Sequence, residues 1–423
     1  MRAIFLGVFF LTLPVAAGAR TWVVRADGTG DAPTIKAAVE STSVGDTVGV
    51  ECGVYREHDI RMKSGLTLRG LSNDSSCVVI DAEHANRGIY CNLVTGSAIE
   101  RITIAHAGPY DGLFAWQSTL SIASCVFEDN RSGLYAARAP TSAVVTNCVF
   151  RHNVNTTYGA GVSMPGQGTL TFSQCVFVGN RTSGRGGAVY AEAVDVTFDD
   201  CLFYGNVASE GGGVCSVGGG AKLFRRCTFL DNAAGRGGGL VSRYPLRDEL
   251  DTCVFAHNHA TGFGLGDGGG AVYSVWTFAA SLPIRNCTLV GNSAQDRGAA
   301  LYCTGAGAVA TLDHTIVAFN EGGEAVYTYL DSPPPTLSCC DLFGNAYGDW
   351  TRGIADQATL RGNFSADPLF CDAAGGVWTL HSTSPCAPPG ITGCGVVGAL
   401  EVGCGGAVSV EPFTWARIKG AYR

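Results

Sequence analysis

Asp199-Asp200 sets two carboxylates side by side, the residue type of acid–base work and of cation binding. Four tyrosines, Tyr190, Tyr273, Tyr302 and Tyr327, occupy one slot after glycine-rich turns. On an open face their rings could stack on a sugar. Eighteen cysteines are enough for a disulfide framework or a thiolate metal ladder. Eight histidines, His58, His84, His106, His152, His257, His259, His314 and His381, are spread through the chain. What each of these groups can do is set by the element that holds it.

One pattern recurs: an apolar residue, then Cys three positions on, an apolar residue two further, and Asn three further. It appears as Ile122-Cys125-Phe127-Asn130, Val145-Cys148-Phe150-Asn153 and Phe172-Cys175-Phe177-Asn180. It continues as Phe198-Cys201-Phe203-Asn206, Phe224-Cys227-Phe229-Asn232, Leu250-Cys253-Phe255-Asn258 and Ile284-Cys287-Leu289-Asn292. Looser copies carry His314, Ile316 and Asn320, then Leu337, Cys340, Leu342 and Asn345. The cysteines are 23, 27, 26, 26, 26 and 34 residues apart, which makes this a repeat of about one coil per 26 residues.

The offsets describe a coil. A step of two keeps Cys and Phe on one face of a strand, and the steps of three on either side add an outward residue that turns a corner. All four marked positions then point inward. Asn stacked on Asn at the coil spacing of about 4.8 Å shares amide hydrogen bonds, which satisfies a polar group in a dry core. The turns after each Asn, such as Gly186-Gly187 and Gly211-Gly212-Gly213, fit tight geometry at positive φ. No Gly-Lys-Ser/Thr follows them, so they are not phosphate loops.

Composition agrees with a solenoid. Glycine is 59 of 423 residues and charged residues only 15%, as one core lined by every coil requires. A formal charge of −8 argues against nucleic acid or an anionic membrane as partner. Arg2, an apolar run over residues 3–15 and the small-residue pattern Ala17-Gly18-Ala19 read as an export signal. Cleavage after Ala19 would leave 404 residues and place the chain outside the cell or at its surface. No stretch is long and apolar enough to span a membrane. Ile35, Ala38 and Val39 share a helical stripe, so residues 33–41 are expected to form a helix that plugs the N-terminal end. The β-helix is expected over residues 20–400. Residues 401–423 form a tail in which Trp415, Ile418 and Tyr422 alternate with Arg417, Lys419 and Arg423. It reads as a frayed end or a sorting segment.

The entrance, Asp27-Gly28 through Thr34-Ile35, Ala37-Ala38-Val39, Gly45-Asp46-Thr47 and Gly53-Val54-Tyr55, resembles pectin-lyase-like β-helix proteins. The Cys-x-Phe-x-x-Asn and Gly-Gly-Ala-Val-Tyr units resemble repeats of polymorphic outer-membrane proteins. The resemblance implies an all-β, right-handed parallel β-helix of three sheets and roughly 12 coils. Enzymes of that superfamily use paired carboxylates for hydrolysis, or Asp-bound calcium with an Arg or Lys base for elimination. Calcium is therefore expected only if the chain is a lyase, and otherwise no cofactor. Their motifs are missing here: no Gln-Asp-Thr or Asp-Phe-Ile, no Trp-x-Asp-His, no Gly-His-Gly.

The candidate residues have structural readings as well. Aligned on their cysteines, successive coils place Asp199, Arg225, Asp251 and Arg285 two residues before Cys, with Arg226 beside Asp200. That is an alternating charge ladder on an outer corner. The seven ladder cysteines are expected as buried free thiols. Cys371, Cys386, Cys394 and Cys404 lie outside the repeat and are expected to form disulfides, as Cys371–Cys386 and Cys394–Cys404. The histidines share no coil position in adjacent coils. The tyrosines either stack on one another or form the sugar stripe. Two functions stay open: a noncatalytic surface β-helix, expected to be monomeric, that binds a glycan or another surface protein, and a polysaccharide lyase or glycoside hydrolase.

Overall fold

A computed structural model describes residues 18–405, except 245–246, 265, 277–280, 306–309, 331 and 392. The export-signal and tail readings fall largely on residues outside this set. The chain winds as a right-handed parallel β-helix with three long sheets of 13, 12 and 11 strands and a short sheet of six. One coil shows the order. Thr169–Ser173 lies in the first sheet, Val176–Val178 in the second, Arg181–Thr182 in the short sheet and Val189–Glu192 in the third. Each strand pairs in parallel with its counterpart one coil away.

Phe172, Cys175, Phe177 and Asn180 are all fully buried, so the four repeat positions do point inward. The corners turn on left-handed residues. Gln174, Asp200, Arg226 and Thr252 precede the cysteines at φ of 51–56°. Gly179, Gly205, Asp231 and His257 precede the asparagines at φ of 52–62°. Between them the asparagines form a continuous ladder. The Asn180 N–H and its Nδ2 both donate to Asn206 Oδ1 at 3.0 Å, and the same Nδ2 reaches the Phe150 carbonyl at 2.9 Å. This repeats from Asn130 to Asn345, where Asp349 accepts the last amide. The phenylalanines stack alongside, with Phe203 and Phe229 at 4.5 Å between ring centroids. All seven ladder cysteines are buried free thiols that lean on backbone carbonyls.

The N-terminal end is closed by an α-helix, Ile35–Ser41, which buries Ile35, Ala38 and Val39. It starts two residues later than the apolar stripe suggests. Thr34 is extended at φ −144° and caps it by accepting from the Ala37 N–H, and Glu57 takes the Ile35 and Lys36 N–H groups. The regular coils end at Asp341–Phe343, earlier than expected. Arg352–Gln357 then folds across the open end, where Gln357 caps Leu337 and Asn363 caps Cys340. Residues 364–405 turn back as a flap with a three-stranded sheet. Trp378 and Ala399 of the flap join an apolar cluster on the outer face of the second sheet that includes Leu230, Val254 and Val290, with Trp378 beside His257 and the Ala399 N–H on Thr288.

The disulfides differ from the expected pairing. Cys371 bonds Cys404 and Cys339 bonds Cys394, while Cys386 stays a buried thiol; Cys52–Cys77 is a third bridge. The flap's fold decides this. Cys386 points onto the second sheet, whereas Cys339, at a coil corner, meets Cys394.

Asn206→Leu leaves the Asn180 N–H without its acceptor and takes one hydrogen bond each from Asn180 Nδ2, the Phe177 carbonyl and Asn232 Oδ1; a buried group left unpaired costs about 1–3 kcal/mol. Cys201→Ala removes one small apolar contact. Thermal unfolding should therefore drop much further for Asn206→Leu than for Cys201→Ala, and equal shifts would contradict the ladder's role.

Candidate functional site

Strands of the third sheet point alternate residues outward. In the early coils the outward slots hold Tyr90, Phe114 and Tyr135, all partly exposed. Their rings overlap like shingles: Tyr90–Phe114 at 5.4 Å and 8°, Phe114–Tyr135 at 5.2 Å and 2°. Trp116 lies beside Phe114 at 6.2 Å. Arginines cover this surface. The Arg87 guanidinium is 4.6 Å from the Phe114 ring centre, 5.1 Å from Tyr110 and 5.8 Å from Tyr90. Arg61 lies over Tyr90 and Arg138 over Trp116.

The surface is open because its coils turn short. A single residue, Arg131, links Asn130 to the strand Ser132–Ala137. From Asn153 onward the same corner carries a strand of the short sheet and a glycine turn, beginning with Val154–Asn155. The change makes a step. Against it lies a hollow of about 490 Å³ lined by Asp129, Arg131, His152 and Thr156. Another, of about 330 Å³, lies between Trp116, Tyr135, Arg138 and Gln167.

Charge on this face is unevenly matched. Arg61 pairs with Asp59 at 3.0 Å, and Arg131 with the buried Asp111 at 3.0 Å. Burial holds the Asp111 carboxyl above its usual range, even with the Arg131 guanidinium opposing it. Burial also raises the Tyr135 phenol, with Asp111 adding to the effect. Arg87 and Arg138 have aromatic rings as neighbours and no ion pair among the described residues. Arg87 Nε and His58 Nδ1 are both buried without a hydrogen-bond partner.

The residues singled out from sequence fall elsewhere. Tyr190, Tyr273, Tyr302 and Tyr327 do face outward on the third sheet, but they are buried to within 6%. They stack on one another, with Tyr273–Tyr302 at 4.9 Å and Tyr302–Tyr327 at 5.1 Å. The long turns roof them: Tyr158 stacks on Tyr190, and the Tyr273 hydroxyl donates to the Gly266 carbonyl. Their rings are thus not an open stripe. Asp199 registers with Arg225, Arg225 with Asp251 and Asp251 with Arg285, as the aligned coils predict. The ion pairs are diagonal, however. Arg226 forks onto Asp199, and Arg285 pairs with Glu249. The left-handed corner swings Arg226 back toward the neighbouring coil. Asp199 and Asp200 are thereby at the outer corner between the first and second sheets, far round the coil from the aromatic surface.

Two features escaped the sequence reading. His84 and His106 do share a corner in adjacent coils, with ring centres 5.3 Å apart and the His106 Nδ1 3.0 Å from Asp81. Inside the core, Lys222 Nζ donates to the carbonyls of Gly218 and Gly219, and Asp248 accepts from Ser216 and Ser242. That cluster is sealed from solvent. Among the described residues no group of three or more His, Cys, Asp or Glu is arranged to hold a metal, and no helix is long and apolar enough to cross a membrane.

A family model described as right handed beta helix region matches residues 60–191, which contain the aromatic surface. No curated protein matches in sequence. Among solved structures, a mannuronic acid specific polysaccharide family 6 lyase from human gut microbiota is similar over 82% of this chain and 91% of its own, at 11% identity and a TM-score of 0.49. The pectin methylesterase of Aspergillus niger is similar over 84% and 98%, at 14% identity and a TM-score of 0.30. A family 6 alginate lyase is similar over 93% of this chain and 59% of its own, at 13% identity and a TM-score of 0.32.

Asp199→Ala removes an exposed ion pair, and such pairs contribute about 0–1 kcal/mol. Its melting temperature should stay close to that of the parent protein, and any glycan binding should be unchanged.

Proposed function

We propose that the protein binds an acidic polysaccharide on the aromatic–arginine surface of the third sheet. Arg87 carries this reading. Three rings hold its guanidinium, and a ring quadrupole attracts a cation without neutralising it. Its Nε is shut in, so a bound chain would meet the rest of the half-buried guanidinium. A sugar carboxylate or sulfate supplies the opposite charge. The ring edges and the apolar faces left between the shingles suit the C–H faces of pyranose rings. Arg138 over Trp116 repeats the arrangement beside the second hollow. Three disulfides in so small a share of the cysteines fit an extracellular setting.

A second reading is that the bound chain is also cleaved, as a lyase or hydrolase would do. Asp111 favours it: burial raises this carboxyl toward the protonated form that acid catalysis needs, and Arg131 and Tyr135 stand beside it. The solved neighbours with a similar course include enzymes that act on polysaccharides.

Binding to alginate, pectate and a neutral glucan, measured at low and high salt, tests both readings. Affinity for an acidic chain should fall with salt. It should weaken at least about tenfold in Arg87→Gln, the worth of one charge-assisted contact. Phe114→Ala should weaken it too. Binding that prefers the neutral glucan, or ignores both substitutions, overturns the proposal. New chain ends that appear with or without calcium and vanish in Asp111→Asn would establish cleavage; their absence leaves binding alone.

A further inference from the structure

The flap over the second sheet rests on a carboxyl group with no cation to balance it. Asp341 begins the last strand of that sheet and is fully buried. Its Oδ1 accepts from the Ala366 N–H at 3.0 Å, and its Oδ2 meets the Cys386 thiol at 3.2 Å. Both partners belong to the flap. The other charged groups that face it are Asp349, from the end-closing segment, and Asp367, from the flap, and both repel an anion. No Lys, Arg or His among the described residues pairs with it. Around it the contact is apolar: Ile316 and Ala318 of the second sheet against Phe364, Leu380, Ala387 and Val397. His314 ties the same edge, with Nε2 3.0 Å from the Cys394 carbonyl and Nδ1 3.1 Å from Asp313.

We propose that Asp341 is a proton-held latch: the flap docks on the second sheet when the Asp341 carboxyl is protonated and loosens when it ionises. Burial, reinforced by Asp349 and Asp367 and outweighing the bonds donated by the Ala366 N–H and the Cys386 thiol, raises this carboxyl from its ordinary value to about 7. A folded value above the unfolded one means that docking is at full strength at acid pH. It is lost as pH rises through about 7. The flap cannot leave entirely, because Cys339–Cys394 ties it to the last coil and Cys371–Cys404 closes it on itself. Loosening therefore swings the flap on that tether and uncovers apolar residues of the second sheet's outer face, Val254 and Val290 among them. This inference does not depend on the glycan reading.

Cys386 reports on the latch, since it is a free thiol hidden under the flap. Alkylation by iodoacetamide would be mapped by mass spectrometry at pH 5.5 and 8.5 and divided by the rate of free cysteine at each pH. The corrected rate at Cys386 should rise at least about tenfold in the natural protein, as titration near 7 implies over that interval. It should stay flat in Asp341→Asn. Cys287, deep in the ladder, should not react in either protein. A flat rate in the natural protein, an equal rise in Asp341→Asn, or parallel reaction of Cys287 overturns the latch. If Asp341→Asn does not fold, the natural protein alone decides by the contrast between Cys386 and Cys287.

Discussion

Asn206 Oδ1 receives two donors from Asn180 in the coil before it, while Asn206 Nδ2 gives to Asn232 Oδ1 and to the Phe177 carbonyl. Each amide thus accepts from the asparagine before it and donates to the one after it, and a one-residue slip of any coil would strand several buried groups at once. The phenylalanine and cysteine stacks add area but little register, since neighbouring apolar residues can exchange. The asparagine ladder is what fixes which residue of one coil lies over which residue of the next. The parallel pairing of every outer position follows from it, including the rings of Tyr90, Phe114 and Tyr135.

With the interior fixed, variation is confined to outward slots and to the turns between sheets. Two kinds of turn make two kinds of surface. Short corners before Asn153 leave the third sheet open, and longer ones after it cover the sheet. The chain covers itself again where the flap packs on the outer face of the second sheet. The first sheet keeps an outward ladder of charges that pair across coils.

The coil, its inward register and the charge ladder were legible because each depends on residues a fixed number of positions apart. Cys125 to Asn345 carries its own ruler. The remainder depends on distance through space. Whether Tyr302 is open or roofed is decided by turns whose path the repeat does not encode. Cys339 meets Cys394 only because the flap returns to the last coil. The aromatic surface is hard to read because the coils of Tyr90 and Phe114 lack the Cys and Phe markers, which also hides the meeting of His84 and His106. A signal was nevertheless there: Ile89-Tyr90-Cys91, Leu113-Phe114-Ala115 and Leu134-Tyr135-Ala136 each place one aromatic between two inward apolar residues, the alternation of a half-open strand.

The two halves of the third sheet put similar residues to opposite use. In the roofed half, arginines beside the tyrosine row are neutralised. Glu210 takes Arg185 at 3.1 Å and Arg243 at 2.6 Å, and Asp267 takes Arg236 at 2.5 Å. Those carboxylates come from the long turns, so the segments that cover the rings also cancel the charge. In the open half the turns are missing, and their carboxylates with them. Arg87 and Arg138 then lie over aromatic rings with their charge unspent. Shortening a corner exposes the rings and frees the cations in one step. The open surface is therefore set apart from the rest of the solenoid by turn length, with no change to the core that carries it.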